Sequence, residues 1–361
     1  VTSSPIGDKP SAFIVLRYLG MDAFRARNKP PSPSDIEAAS AAKTFAEELP
    51  YLKRLSAQGH PGSQHTLATH YDFGHDIKVN KRLAVELYRL AAEGGEPQAM
   101  FDLASSYHIG DGVPENLDLA LKWYRAGAEA GEARSMNNLA AFYAAGTDVP
   151  LDIPVALKWA RRSAETGNAN GMHILARLLR REDQADPEAD VWLHRAAEAG
   201  HREAKVEVTR LQLASALGED REAGLKALED LAAKHDYLGL TELARLYEEG
   251  THVAQNLPRA YALLGTAIGL HPLDEHADKP DQLDRMIRML DAMSEEEKVE
   301  AREGVLREGG LKPLLILAYF FRQINIGDSD FYEGETLQWL AIENGAGTMR
   351  YAGYGIFTTA D

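Results

Sequence analysis

Between about residue 60 and residue 270 the apolar side chains recur at spacings of three and four, broken at regular intervals by glycine and short polar runs. That spacing predicts amphipathic helices. In one such stretch Leu103, Ala104 and Tyr107 share a helical face, and Gly110 then ends the helix, because glycine adopts the left-handed conformation past a C-terminus without strain. A second helix follows, with Ala120, Trp123 and Ala128 towards the core and Gly131 at its close. Each unit thus reads as two short helices joined by a polar loop.

The unit repeats. Leu67-Ala-Thr-His-Tyr71-Asp-Phe-Gly74, Leu103-Ala-Ser-Ser-Tyr107-His-Ile-Gly110 and Leu139-Ala-Ala-Phe-Tyr143-Ala-Ala-Gly146 place tyrosine and glycine 36 residues apart, twice. Leu243-Ala-Arg-Leu-Tyr247-Glu-Glu-Gly250 returns to the pattern later. The second halves agree as well: Ala84-Val-Glu-Leu-Tyr-Arg89, Ala120-Leu-Lys-Trp-Tyr-Arg125 and Ala156-Leu-Lys-Trp-Ala-Arg161. Asn80, Asn116, Asp152 and Asn256 precede the second helices, where a short polar side chain can cap free backbone N–H groups. Pro154 and Pro258 fall in first turns, where proline is tolerated. Small residues such as Ala104 and Ala128 allow close helix approach, and Tyr107 and Trp123 are expected to fill the remaining space. A single pair cannot bury its apolar face alone, but stacked pairs can.

These residues resemble the Sel-one-like repeat family, a relative of the tetratricopeptide repeats, with residues 98–131 the best match. The resemblance covers about 62 to 270. It implies an all-α fold, a right-handed superhelical α-solenoid of antiparallel helix pairs. Ala104 and Ala140 stand where the family usually has glycine, and the unit at 170–200 lacks the loop and has Leu179 in place of tyrosine.

Four regions are expected: an N-terminal capping segment at 1–34, the repeat solenoid at 35–270, a helical insertion at 271–310, and C-terminal helices with a degenerate last repeat at 311–361. The apolar piece at 12–19 suggests a short capping helix. Ser34-Asp-Ile-Glu37 and Ser294-Glu-Glu-Glu297 both have capping-box spacing. The run at 311–321 is too short for a bilayer and reads as a buried helix. Trp339 to Gly345 resembles a last second helix, before an end rich in aromatic residues and glycine: Tyr351, Tyr354 and Phe357.

Charge narrows the functions. The chain carries 39 Lys+Arg against 55 Asp+Glu, a formal net charge of −16, which opposes binding to nucleic-acid phosphates and anionic lipids. There is no cysteine, which excludes disulfides, thiolate catalysis and Cys-based zinc sites. It also removes the paired cysteines of those family relatives that have been linked to β-lactam binding. The sequence begins at Val1, which suggests a processed start and export to the periplasm.

No His-Glu-x-x-His, Gly-x-Ser-x-Gly or phosphate-loop motif is present. His60, His65, His70 and His75 recur every five residues, a spacing that turns side chains away from one another on a helix. The expectation is a non-enzymatic module with no cofactor or metal and with another protein as partner.

In solenoids of the resembled kind the first helix of each pair lines the concave face. Carried over position by position, this nominates His65, Thr69, Asp72 and Phe73; then Gln98, Phe101, Ser105, His108 and Ile109; then Arg134 and Asn137; then Asn170, His173, Arg177, Arg180 and Arg181. Phe73, Phe101 and Ile109 are apolar where the core does not require it. Arg177, Arg180 and Arg181 form a basic cluster suited to an acidic segment, or to pairing with Glu182, Asp183 and neighbouring helices as a solvated face. Proteins resembling this one sit beside lipase effectors of type VI secretion and block them, so an immunity protein is one expected role. A structural adaptor in an envelope or signalling assembly is the other.

Overall fold

The computed structural model describes residues 33–42, 44–75, 77–270, 279–309, 350–352 and 356–358. The helices expected at 12–19, 311–321 and 339–345 lie outside the described residues. Two compact units are distinguished, Val1–His201 and Arg202–Asp361.

In the first unit α1 (Pro33–Ala41) and α2 (Phe45–Ala57) precede a run of paired helices. The pairs are α3 (Pro61–Phe73) with α4 (Lys81–Glu93), α5 (Pro97–Ile109) with α6 (Leu117–Glu129), α7 (Ala133–Ala145) with α8 (Ile153–Glu165), and α9 (Ala169–Glu182) with α10 (Pro187–Glu198). The second unit holds α11 (Arg202–Ala214) with α12 (Gly218–Ala233), α13 (Tyr237–Glu249) with α14 (Leu257–Leu270), then α15 (Lys279–Ala292) and α16 (Glu295–Gly309). The all-α array of helix pairs is therefore as the period requires. There is one small exception: β1 (Arg350–Ala352) pairs antiparallel with β2 (Ile356–Thr358), Tyr351 opposite Phe357.

The loop between first and second helix has one construction, used four times. Gly74, Gly110, Gly146 and Gly250 cap the first helices at φ 75, 73, 69 and 68°. Six residues on, Asn80, Asn116, Asp152 and Asn256 each accept a backbone N–H three residues ahead, at 3.1, 3.0, 3.0 and 2.8 Å. The same four residues donate their own N–H to the carbonyl of Tyr71, Tyr107, Tyr143 and Tyr247, at 2.8, 2.8, 2.9 and 2.9 Å. Each loop thereby pairs a free carbonyl at the end of the first helix and a free N–H at the start of the second. The pair α9–α10 lacks this loop, as its sequence indicates. Asp183 ends α9 in extended conformation and Asp186 caps α10 by accepting the Glu188 N–H at 2.8 Å.

One capping expectation holds and one fails. Ser294 N–H donates to Glu297 Oε2 at 2.8 Å and Glu297 N–H to Ser294 Oγ at 3.3 Å, opening α16. At the other site α1 starts at Pro33, so Ser34 sits inside the first turn and cannot cap it. Proline is pre-set for a first helical position and moves the boundary forward.

The core of the first unit is a chain of clusters, each shared by neighbouring pairs. Leu67, Leu87 and Leu103 belong to one, Leu121, Tyr124 and Leu139 to the next, and Ala140, Ala160 and Leu175 to a third. Ala104 and Ala128 are fully buried, as close packing demands. The approach in this unit is closest at Gly171 of α9, where a Cβ would stand 2.3 Å from Ser163 Oγ of α8, and at Gly127 it would stand 2.6 Å from Ser135 Oγ. The buried aromatics differ from those expected. Tyr107, Tyr143 and Trp123 are only partly buried at the margins of clusters, whereas Tyr88 and Tyr124, the next residues along the second helices, are 1% exposed. The second unit is built on Leu240, Leu243, Tyr261 and Leu264, with Met286 and Met289 of α15 and Val305 of α16 packed into the same cluster.

Candidate protein-binding face

In the first unit the 36-residue period sets equivalent positions of α3, α5, α7 and α9 into rows, and the nominated residues fill five of them. Gln98, Arg134 and Asn170 make one exposed row near the helix starts. The next row is His65, Phe101, Asn137 and His173. Here the expectation is corrected: Asn137 and His173 are 4% and 6% exposed and support the face from beneath. Asn137 Nδ2 donates to Asn168 Oδ1 at 3.1 Å, and the His173 ring lies 4.3 Å from that of His201. The Asn137 amide is thus half satisfied: its Nδ2 donates, while its buried Oδ1 accepts no hydrogen bond.

His65 and Phe101 belong to a linked group that crosses three helices. His65 Nε2 lies 2.7 Å from Asp102 Oδ2, and Arg134 NH1 is 3.8 Å from Asp102 Oδ1. The Arg134 guanidinium stacks 4.1 Å over the Phe101 ring while its Nε donates to Glu132 Oε1 at 2.9 Å. Asp102 is the hub, and sequence reasoning passed over it. Its signal was present: one repeat plus one residue separates it from His65, which places the two on facing sides of adjacent first helices.

The third row is Thr69, Ser105, Ala141 and Arg177. Thr69 donates to the His65 carbonyl at 3.1 Å, Ser105 is half-buried, and Ala141 and Arg177 are exposed. The fourth is Asp72, His108, Ala144 and Arg180. Asp72 Oδ1 lies 2.7 Å from Lys81 Nζ, and Asp72 Oδ2 accepts from the Tyr88 hydroxyl at 3.2 Å. Lys81 also reaches Asp111 at 2.7 Å, and its hydrogen bonds to Asp111 and Asp72 push its ammonium pKa up. Burial pushes the Tyr88 phenol up, so it remains a donor. His108 meets the Phe142 ring edge-on at 5.1 Å.

The last row is Phe73, Ile109, Ala145 and Arg181, and its first two members are 63% and 66% exposed. The basic cluster at the other end is partly engaged already. Arg180 NH2 lies 2.5 Å from Asp190 of α10, and Arg181 NH1 donates to the Ala144 carbonyl at 2.7 Å, at the end of α7. Among the described residues no ion pair engages Arg177. The engagements of Arg180 and Arg181 are with neighbouring helices, a carboxylate of α10 and the carbonyl end of α7, as the solvated-face alternative expects.

The four histidines have separate tasks. His60 Nδ1 accepts the Ser63 N–H at 3.1 Å and caps α3, His65 joins the Asp102 group, and His70 stacks on Phe45 at 3.8 Å. His75 offers its carbonyl to His70 Nδ1 at 2.9 Å. Among the described residues no three potential ligands converge on a point where a metal could be held. No helix among them is long and apolar enough to cross a membrane. The face presents a frame of hydrogen bonds and ion pairs, with apolar and cationic side chains standing out from it.

The Sel1 repeat profile matches residues 61–96, 97–132, 133–168, 191–201 and 238–268. The first three matches coincide with the pairs α3–α4, α5–α6 and α7–α8. A Sel1 repeat protein from Oxalobacter formigenes is 25% identical, with 69% of this chain and 97% of that one covered and a TM-score of 0.58. A protective antigen of uropathogenic Escherichia coli with an SLR fold is 21% identical over 90% of this chain and 69% of its own, with a TM-score of 0.57, and shares the fold. An immunity protein from Pseudomonas aeruginosa superimposes less well, 20% identical over 53% of this chain and 72% of its own, at a TM-score of 0.37. No curated protein sequence matches the chain significantly. The repeated loop, the close helix packing and the profile matches agree: residues 61–168, 191–201 and 238–268 of this chain match the Sel1 repeat.

Proposed function

We propose that the chain binds another protein across the first-helix face of α3, α5, α7 and α9, and that the partner is a secreted effector of the lipase type, neutralised by that binding in the bacterial periplasm. The observation that carries the binding reading is the preorganised frame around Asp102, beside side chains that stand exposed without serving the core. A frame already ordered before encounter loses little conformational entropy on binding. A net charge of −16 supports a basic partner, because complementary fields speed association and exclude wrong partners.

Affinity capture from envelope extracts, with enzymatic assay of whatever is captured, tests this. Wild-type chain should retain one stoichiometric partner and suppress its lipase activity. A chain carrying Ala141→Arg and Arg177→Glu, two exposed positions of one row, should retain neither property while melting at the same temperature. Capture that survives both substitutions would move the site elsewhere. A captured partner whose activity is untouched would replace neutralisation with an adaptor role.

A further inference from the structure

The loops joining first to second helices bring exposed apolar side chains to one edge of the first unit. Among the described residues nine large hydrophobics are exposed, and four belong to this edge: Phe73 at 63%, Val79 at 49%, Ile109 at 66% and Leu151 at 56%. Register puts them there. Phe73 and Ile109 end α3 and α5 one repeat apart, and Val79 and Leu151 hold the same loop position two repeats apart. Val79 and Leu151 lie against the capping glycines of α3 and α7. A Cβ on Gly74 would stand 2.7 Å from Val79 Cγ2, and one on Gly146 2.9 Å from Leu151 Cβ.

The edge is held in place. Lys81 Nζ lies 2.7 Å from both Asp72 and Asp111, which ties the first loop's corner to the second. A Cβ on Gly112 would stand 2.7 Å from the Lys81 carbonyl oxygen, so the second loop rests directly on the start of α4. Soluble chains leave single hydrophobics exposed, but several at equivalent positions along one edge mark a surface that another molecule covers.

The charge around the row identifies that molecule. Lys81 is neutralised by two aspartates. Glu115 and Asp148, on the second and third loops, are exposed, and no cation pairs with either among the described residues. Lys78 is the opposing lysine on these loops. Arg181, on the Ala144 carbonyl at the end of α7, is the cation nearest the third loop; against it stand the unpaired Glu115 and Asp148, and the whole chain carries −16.

We propose that this edge is the anchor of the interface and receives a basic amphipathic segment of the partner protein. Its apolar side chains cover Phe73, Ile109 and Leu151, and its lysines or arginines meet Glu115 and Asp148. The proposal rests on the protein-binding reading above and names the partner's chemistry. It runs opposite to an acidic segment seated on the arginines.

Three labelled peptides of equal length test it by fluorescence anisotropy with the full chain: leucine with lysine in helical amphipathic order, leucine with glutamate in the same order, and serine with lysine. The Leu/Lys peptide should bind at least about ten-fold tighter than the other two. Phe73→Ser/Ile109→Ser/Leu151→Ser, all at exposed positions, should weaken it about ten-fold with an unchanged circular dichroism spectrum. Glu115→Gln/Asp148→Asn should weaken it and flatten its salt dependence. Equal binding of Leu/Lys and Ser/Lys, or no loss in the triple variant, would overturn the apolar anchor. Preference for Leu/Glu, abolished by Arg177→Glu, would overturn this proposal while leaving the protein-binding reading intact.

Discussion

Glu242 shows how much a single residue can carry in this fold. Its side chain is 4% exposed and lies 2.7 Å from both Arg210 NH2 and Arg245 NH2. Burial pushes its carboxyl up, but the hydrogen bonds and charges of Arg210 and Arg245 outweigh burial and hold it at about 2. A carboxyl depressed on folding adds stability above its unfolded value, near 4.5, and that stability is lost as pH falls towards 2. Glu242→Gln should therefore cost about 2 kcal/mol at neutral pH, since both arginines keep access to water. In urea melts the gap to wild type should close between about pH 4.5 and pH 2; a gap independent of pH would show that the charge is not what matters. The residue scale was legible where a type had one task. Asparagine before a helix and glycine after one did what their chemistry requires. His60 was not legible, because histidine is a rare cap and only the geometry shows Nδ1 receiving the Ser63 N–H. Asp102 was equally hidden, since its partners lie a full repeat away in each direction.

At the scale of the element, stability rests on caps and on the small–large alternation between helices. Asn116→Ala removes the acceptor for the Leu119 N–H and should cost about 1 kcal/mol. Gly146→Ala should cost more, roughly 1–3 kcal/mol, because φ is 69° and the new Cβ would meet Leu151 Cβ at 2.9 Å. Urea denaturation of the two variants checks the order; an equal or reversed ranking would mean that the loop yields around a side chain. Helix existence and pairing were readable from the 36-residue period. Which aromatic is buried was not. Trp123 and Tyr124 are sequence neighbours about 100° apart on the helix, and the crossing angle of the adjacent helix, absent from any one-dimensional pattern, decides which turns inward. The boundary at Pro33 was misplaced for a related reason: two overlapping start signals compete, and the proline one wins.

At the scale of the molecule, helix pairs contact mainly their neighbours, so coupling is local within each unit. Leu139 is fully buried in α7, and Leu139→Ala should cost about 2–5 kcal/mol. Three of the four tryptophans, Trp123, Trp159 and Trp192, lie in the first unit, and Trp339→Phe leaves only those three to report. In that background Leu139→Ala should therefore shift the tryptophan-fluorescence transition further than the circular dichroism midpoint. Coincident shifts would show that the chain unfolds as one cooperative block. The architecture was legible from sequence because repetition multiplies a weak signal. The face was only partly so. The period assigns residues to rows, but it does not reveal that Asn137 and His173 are covered or that Arg180 and Arg181 are engaged by Asp190 and the Ala144 carbonyl. Those facts depend on how far one pair rotates against the next.

Amide hydrogen exchange on the chain alone and in complex with its captured partner tests the central claim most directly. Binding across the first-helix face predicts slower exchange in α3, α5, α7 and α9 and in the loops at 74–80, 110–116 and 146–152, with α4, α6 and α8 unchanged. Protection confined to the second helices, or to residues beyond 202, would contradict it.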